Sequence, residues 1–282
     1  MAYKSLLTLA SSAEGVAAAV DAAARVALAS DAHLDALALG VDRSQIGYSY
    51  VGSGAVILQI AMERAEEEAR LNGKALKDAL AAQGPDLRFS LDSAVAQLGA
   101  LTDLVSSRAR YADLVVLPKP YGKGSGPEAE AVIEAAMFEG QAPVLVVPER
   151  GFAAGAAPRR VVLAWNQSRE ALVAARRALP FLKAAEQVVI TIVDPPAHGP
   201  ERSDPGGMLC QLLVRHGVKA EVAVLARTLP RISDVLARQC QDLDADLLVM
   251  GAYGHSRFRE AILGGATRNM LESAQVPLFL AH

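Results

Sequence analysis

The chain has 282 residues, 52% of them hydrophobic and 21% charged, which excludes an extended disordered protein and fits about two domains at roughly 150 residues each. Its 28 basic and 31 acidic residues leave a net charge of −3, and aromatics are only 5%, so neither a basic face nor a base-stacking surface is implied and nucleic acid is not an expected partner. Two cysteines, Cys210 and Cys240, are too few for a disulfide framework or a four-cysteine zinc site; they read as buried small hydrophobes of a cytoplasmic protein.

The opening Met1–Leu7 lacks the apolar stretch of a signal peptide. Ser5–Leu9 reads as a short buried strand, followed by a helix over Ala13–Ala29 and a strand over Leu34–Val41. The run Ser44–Met62 is free of charge, but its serines, glutamines and glycines suit a loop feeding a helix better than a membrane span, so no membrane is expected; within it, Gln45–Gly54 could form a lid or a plain loop. In the long helix that follows, Leu58, Met62, Ala65, Ala69, Leu76 and Leu80 mark an apolar face, and Glu63, Glu66, Glu67 and Glu68 a solvated one. Arg88–Leu91 is the third strand, Leu101–Arg110 a helix, and Leu114–Leu117 and Val144–Val147 the last two strands. Glu149–Pro158 is rich in Gly and Ala and reads as a linker.

The order then begins again. Arg160–Trp165 is a strand, Ser168 an N-cap and Arg169–Ala184 a helix. Val188–Val193 is a strand closed by Asp194-Pro195-Pro196, and Gly207–His216 a helix. Ala220–Leu225, Asp246–Met250 and Val276–Ala281 complete the strands, with helical signals over Ile232–Leu243 and Arg257–Ala274. The repetition is also literal. Tyr111–Pro118 resembles Asp244–Gly251, 133 residues on; Gln141–Val147 resembles Gln275–Ala281; Lys4–Ser12 resembles Arg160–Ser168, 156 residues on. Each copy is domain-sized, so the chain is a duplication, 1–150 and 158–282, and not a solenoid. Strand–helix alternation with continuous apolar strands predicts two tandem Rossmann-like α/β domains, each with a five-stranded, mostly parallel sheet and helices on both faces.

In such sheets ligands bind at the carboxyl ends of the strands, near the switch in strand order. The second copy places Gly251-Ala252-Tyr253-Gly254 there and, nine residues later, Gly264-Gly265-Ala266-Thr267. Glycines permit close backbone approach, and the free N–H groups of a helix start favour an anion, so the pattern suits a phosphate. The element order, the Gly251-x2-Gly254-x9-Gly264 pattern and the closing Val276-Pro277-Leu278-Phe279-Leu280 strand resemble the universal stress protein family, and the resemblance covers both copies. It implies an α/β sandwich with a five-stranded parallel sheet, and the glycine pattern is that of members that bind ATP.

Carried over by position, the resemblance implies that Asn166 stands where the family usually holds the ribose with an aspartate. Val193 would meet adenine through its backbone. Gly251 and Gly254 would line ribose and phosphate, and Gly264, Gly265 and Ala266 would cradle phosphates. Asn166 departs from the aspartate and keeps hydrogen bonding without the charge. Gly265 departs from the usual serine or threonine, with Thr267 as a substitute hydroxyl. Arg257, Arg268 and His255 are weaker phosphate candidates.

The first copy reads as degenerate. Pro118 stands at the place of Gly251 and Ala10 at that of the ribose aspartate, while Glu128 and Glu130 lie near the phosphate-facing helix start. Gly122-Lys123-Gly124-Ser125-Gly126 is not a Walker loop, which needs Gly-Lys-Ser/Thr opening a helix directly. No nucleophile elbow, zinc-protease motif or metal cluster occurs, and the five histidines are scattered, so an enzyme is not expected, slow ATP hydrolysis aside. The reading is a stress-response or signalling protein binding ATP or a related adenine nucleotide in its C-terminal domain. The alternative is a nucleotide-free tandem scaffold acting through a protein partner. The family commonly dimerises through its final strands, so Val144–Val147 and Leu278–Ala281 are expected to pair within one chain as a pseudo-dimer, with a homodimer of chains the further option. Gly251→Pro, copying the first half's residue into the second, is expected to abolish nucleotide binding with the fold retained.

Overall fold

A computed structural model describes residues 2–44, 54–121, 126, 128–152, 157–195, 203–252 and 265–282. The chain divides into two compact units, Lys4–Ala142 and Pro143–His282, the latter with the residues up to Tyr3.

The first unit runs β1 (Ser5–Ala10), α1 (Val16–Ser30), β2 (His33–Asp42), α2 (Gly54–Ala81), β3 (Arg88–Gln97), a 3-10 turn over Leu98–Ala100, α3 (Leu101–Ala109), β4 (Leu114–Pro118) and α4 (Glu128–Phe138). Its strands are parallel in the order β3-β2-β1-β4. The order reverses at β1. Right-handed crossovers therefore send α1 and α2 to one face and α3 and α4 to the other, and α1 packs on α2 and α3 on α4. The interior is aliphatic: Leu6, Leu34, Leu37, Leu39, Leu114 and Ile133 are all fully buried, each contributing roughly 1.5–3 kcal/mol by leaving water.

The apolar face of α2 is as expected at Ala65, Ala69, Leu76 and Leu80, all buried, but not at Leu58 and Met62, each 38% exposed. The helix has 28 residues, about 42 Å at 1.5 Å per residue, whereas the ten residues of β2 span about 33 Å. The amino-terminal turns of α2 thus outrun the strand. The third strand is longer than Arg88–Leu91, because all ten residues of β3 pair with β2. The Gln45–Ser53 part of the lid or loop lies outside the described residues.

The second unit runs β5 (Val144–Val147), β6 (Arg160–Ala164), α5 (Arg169–Arg177), α6 (Leu179–Ala184), β7 (Gln187–Val193), α7 (Gly207–Arg215), β8 (Ala220–Leu225), α8 (Ile232–Asp242), β9 (Leu247–Gly251), α9 (Ala266–Ser273) and β10 (Leu278–Ala281). The second copy's five strands are parallel, β10-β9-β6-β7-β8, as expected. The single helix expected over 169–184 is two, separated at Ala178, with Pro180 in the first turn of α6; proline lacks the N–H that a continuous helix would use.

The boundary between units falls before the linker. The last strand of the first copy, β5, lies antiparallel on β10, with Leu278 opposite Val146, Phe279 opposite Leu145 and Leu280 opposite Val144. The two closing strands therefore pair within one chain. The Tyr3 hydroxyl donates to the Arg177 carbonyl at 2.7 Å, and Phe181 packs against Tyr3, Phe152 and Phe279 with ring centroids 5.4–6.1 Å apart. This aromatic cluster holds the first residues of the chain in the second unit.

Candidate functional site

In the second unit the strand order reverses at β6, so the switch lies between β6 and β9. The register of β6 with β7 pairs Ala164 with Thr191, and that of β6 with β9 pairs Leu163 with Val249. Two residues further along, Asn166 falls level with Val193 and Trp165 with Gly251, so Asn166, Val193 and Gly251 lie within one residue of level at the carboxyl ends of three neighbouring strands. Four of the eight predicted site residues, Gly265, Ala266, Thr267 and Gly251, bracket the crossover that follows β9. Gly254 and Gly264 lie outside the described residues, as do His255 and Arg257.

The start of α5 is built by local hydrogen bonds. The Ser168 hydroxyl accepts from Ala171 N at 3.1 Å and caps the helix, while Asn166 Oδ1 accepts from Ser168 N at 3.1 Å. Asn166 therefore spends its carbonyl on the turn and leaves its exposed amide group as the donor. Between them Gln167 takes a positive φ of 63°, a conformation that sequence periodicity does not signal.

Gly251 has a second duty, besides any ligand. A Cβ there would run into Ala171 N and lie 2.6 Å from the Glu170 carbonyl carbon and 2.9 Å from Ala171 Cα. These are backbone atoms of the first turn of α5, which cannot rotate away. The expectation that Gly251→Pro spares the fold is therefore overturned: the glycine is required for helix–strand packing.

α9 starts at Ala266 with Gly265 in an extended conformation and no side-chain cap. The aligned peptide dipoles make this amino-terminal end electropositive, the property that favours an anion. Thr267 is only 2% exposed, so its hydroxyl belongs to the interior of the helix packing. Arg268 Nε pairs with Glu272 at 3.2 Å on the exposed face of α9. Trp165, which no motif singles out, closes β6 at the same edge. It is 8% exposed.

The matching edge of the first unit is filled by charge. Arg43, one residue past β2, donates to Glu68 of α2 at 2.9 and 3.1 Å and to Glu128 of α4 at 2.7 and 3.2 Å. Glu68 also accepts from Val41 N at 3.1 Å. The Glu128 side chain is 2% exposed. The hydrogen bonds from Glu68 and then Glu128 hold the Arg43 guanidinium even more firmly protonated than usual. Glu68 is thus a strap residue and not part of a simply solvated face. Pro118 ends β4, and Gly15, in the left-handed region at φ 71°, sits where a Cβ would come 2.7 Å from the Pro118 Cβ.

Cys240 is buried, and burial pushes its thiol up to about 12. Cys210 is half-buried, not fully buried as expected, with Sγ 3.6 Å from the Ala220 carbonyl. Among the described residues no group of three or more His, Cys, Asp or Glu is placed to hold a metal ion. No helix among them is long and apolar enough to cross a membrane.

A doubly wound α/β unit with glycines and an uncapped helix start at its switch point defines the class. Residues 158–282 match the universal stress protein family: the second copy is a universal stress protein domain. A universal stress protein of Synechocystis sp. is 34% identical over 68 residues, 24% of this chain; the match spans about a quarter (23%) of that relative's length. The fold of the chain is similar to that of a universal stress protein from Archaeoglobus fulgidus, with TM-score 0.62 and 13% identity over 98% of this chain and 95% of that one. A putative universal stress protein from Pseudomonas aeruginosa has TM-score 0.58 and 14% identity over 99% and 93%. At these identities the likeness is one of fold.

Proposed function

We propose that the second copy binds an adenine nucleotide, ATP foremost, at the carboxyl edge of β9, β6 and β7, and that the chain acts as a binding protein in a stress response and not as an enzyme. The observation that carries this reading is the convergence of Asn166, Val193 and Gly251 on three adjacent strand ends, beside the crossover that leads to the uncapped start of α9. The strand ends offer backbone groups to a base and an amide donor to a sugar, and the positive amino-terminal end of the α9 dipole suits phosphate. Membership of the second copy in the universal stress protein family supports the same ligand class. Occupancy would act by differential affinity for two states of the protein or its partner.

The test is to purify the full chain, denature it, and quantify released nucleotide by chromatography, then titrate the emptied protein with ATP by calorimetry. One ATP per chain is the expected result. Two per chain would contradict a filled first unit.

A second reading, a nucleotide-free scaffold, draws on specific contacts: Asn166 Oδ1 is committed to Ser168, Thr267 is buried and Arg268 is paired with Glu272. No bound nucleotide and no saturable heat would favour it.

A further inference from the structure

The chain has one tryptophan, and it stands at the proposed site. Trp165 follows β6 directly and precedes Asn166, and its backbone N donates to the Thr191 carbonyl at 2.9 Å. The residue is 8% exposed, yet its indole Nε1 is buried with no hydrogen-bond partner among the described residues. An indole N–H is a donor only, and a buried donor without an acceptor is destabilising and rare in native structures. The first copy has Leu9 at the matching position, an apolar residue with nothing to satisfy.

The described surroundings of the indole edge are apolar or donors. The Cδ1 edge of the indole, adjacent to Nε1, lies beneath Gly206, the residue before α7. Gly206 is left-handed at φ 79°, and a Cβ there would come 2.8 Å from Ile192 Cδ1 and 3.6 Å from Trp165 Cδ1. Ile192 and Trp165 thus meet under this turn, on the side of β7, whose strand end Val193 is the proposed base position. α7 opens at Gly207 with no side-chain cap, so its own first-turn groups are donors, not acceptors.

We propose that Trp165 Nε1 is a specificity donor for the ligand, hydrogen-bonding an acceptor nitrogen of the nucleotide base when the turn Ser203–Gly206 shifts off the indole edge. The inference rests on the proposed function for its ligand. The unsatisfied donor raises the free energy of the empty site, and binding removes that penalty. A site built around a donor rejects ligands without the acceptor, because the donor is then left unpaired.

The test is the indole ¹⁵N–¹H resonance of the full chain, which is a single peak. ATP is expected to shift it downfield and slow its exchange with water, whereas inorganic triphosphate, which lacks the base, leaves it in place. Trp165→Phe is expected to weaken ATP binding by about fivefold to tenfold, the loss of one hydrogen bond, while the empty variant melts no lower than wild type. A purely structural tryptophan would give the opposite pair, a lower melting temperature and unchanged affinity. Calorimetric ATP binding with an unmoved indole peak would overturn this proposal and leave the nucleotide reading standing. Silence in both heat and peak would overturn the nucleotide reading, and this inference with it.

Discussion

The two copies solve one packing problem in opposite ways. Where the fourth strand of each copy meets the first turn of its first helix, there is room for one side chain fewer than usual. The second copy leaves it out of the strand, at Gly251, and lets α5 begin early, capped by Ser168. The first copy keeps a bulky residue in the strand, Pro118, and gives way in the helix: α1 begins only after Gly15, whose positive φ and missing Cβ clear the proline. The helix starts differ in the same sense. Counted back from the matched Gln141 and Gln275, α4 begins about one turn earlier than α9 and carries Glu128 into the strap with Arg43. One edge keeps a glycine at its strand end; the other fills the place with a proline and adds an ion-pair network. The difference between the two edges is a rearrangement with compensations, not the exchange of one residue.

The sharpest way to break this comparison is Gly251→Pro. The variant forces side-chain atoms into the backbone of α5, and we expect about 3 kcal/mol or more of lost stability, read as an earlier urea transition of Trp165 fluorescence. Ala171→Gly should not rescue it, because the colliding atoms are Ala171 N and Cα and the Glu170 carbonyl carbon. Wild-type-like unfolding of Gly251→Pro would show that the two edges are interchangeable after all.

Next in size is Arg43→Ala, which leaves the buried Glu128 carboxylate without its Arg43 partner. Breaking such a pair costs about 3 kcal/mol. The far-UV circular dichroism transition should move to lower urea while the Trp165 signal, from the other unit, holds its midpoint; equal movement of both would refute the assignment of the strap to the first unit alone.

Smallest is a matched pair of serine variants. Ser168→Ala removes a true cap and should cost about 1 kcal/mol. Ser12 stands at the equivalent place but accepts only from Glu14 N, at 3.2 Å, ahead of an uncapped helix, so Ser12→Ala should cost roughly 0.3 kcal/mol, within the range of ordinary surface substitutions. Equal costs would mean that the helix starts are alike.

The order of elements along the chain and its internal repetition were legible in the sequence because they rest on period and self-similarity: apolar runs of strand length, and near-identical segments such as Asp113-Leu114-Val115-Val116 and Asp246-Leu247-Leu248-Val249; the pairing of the closing strands followed only from the family resemblance. What escaped depends on where separate elements touch. Gly251 read as a ligand glycine, because nothing in the chain order says that Ala171, 80 residues earlier, lies against it. Glu68 and Glu128 read as surface or repelling charges, because Arg43, which neutralises them, is 25 and 85 residues away. Trp165 was invisible for the converse reason: an aromatic residue after an apolar strand reads as core, and only the absence of a partner for Nε1 distinguishes it.

The antiparallel contact of β5 with β10 also bears on descent. Two like strands meeting antiparallel are related by a local two-fold, the arrangement open to any two separate chains of one kind. Joined in a single polypeptide, the first half's closing strand meets the second half's at high effective concentration, ahead of any competitor in solution. After such a fusion, neither half has to remain a good partner for a copy of itself. One half is then free to carry Pro118, Glu128 and their compensating neighbours while the other keeps Gly251, and the difference costs nothing at the β5–β10 seam.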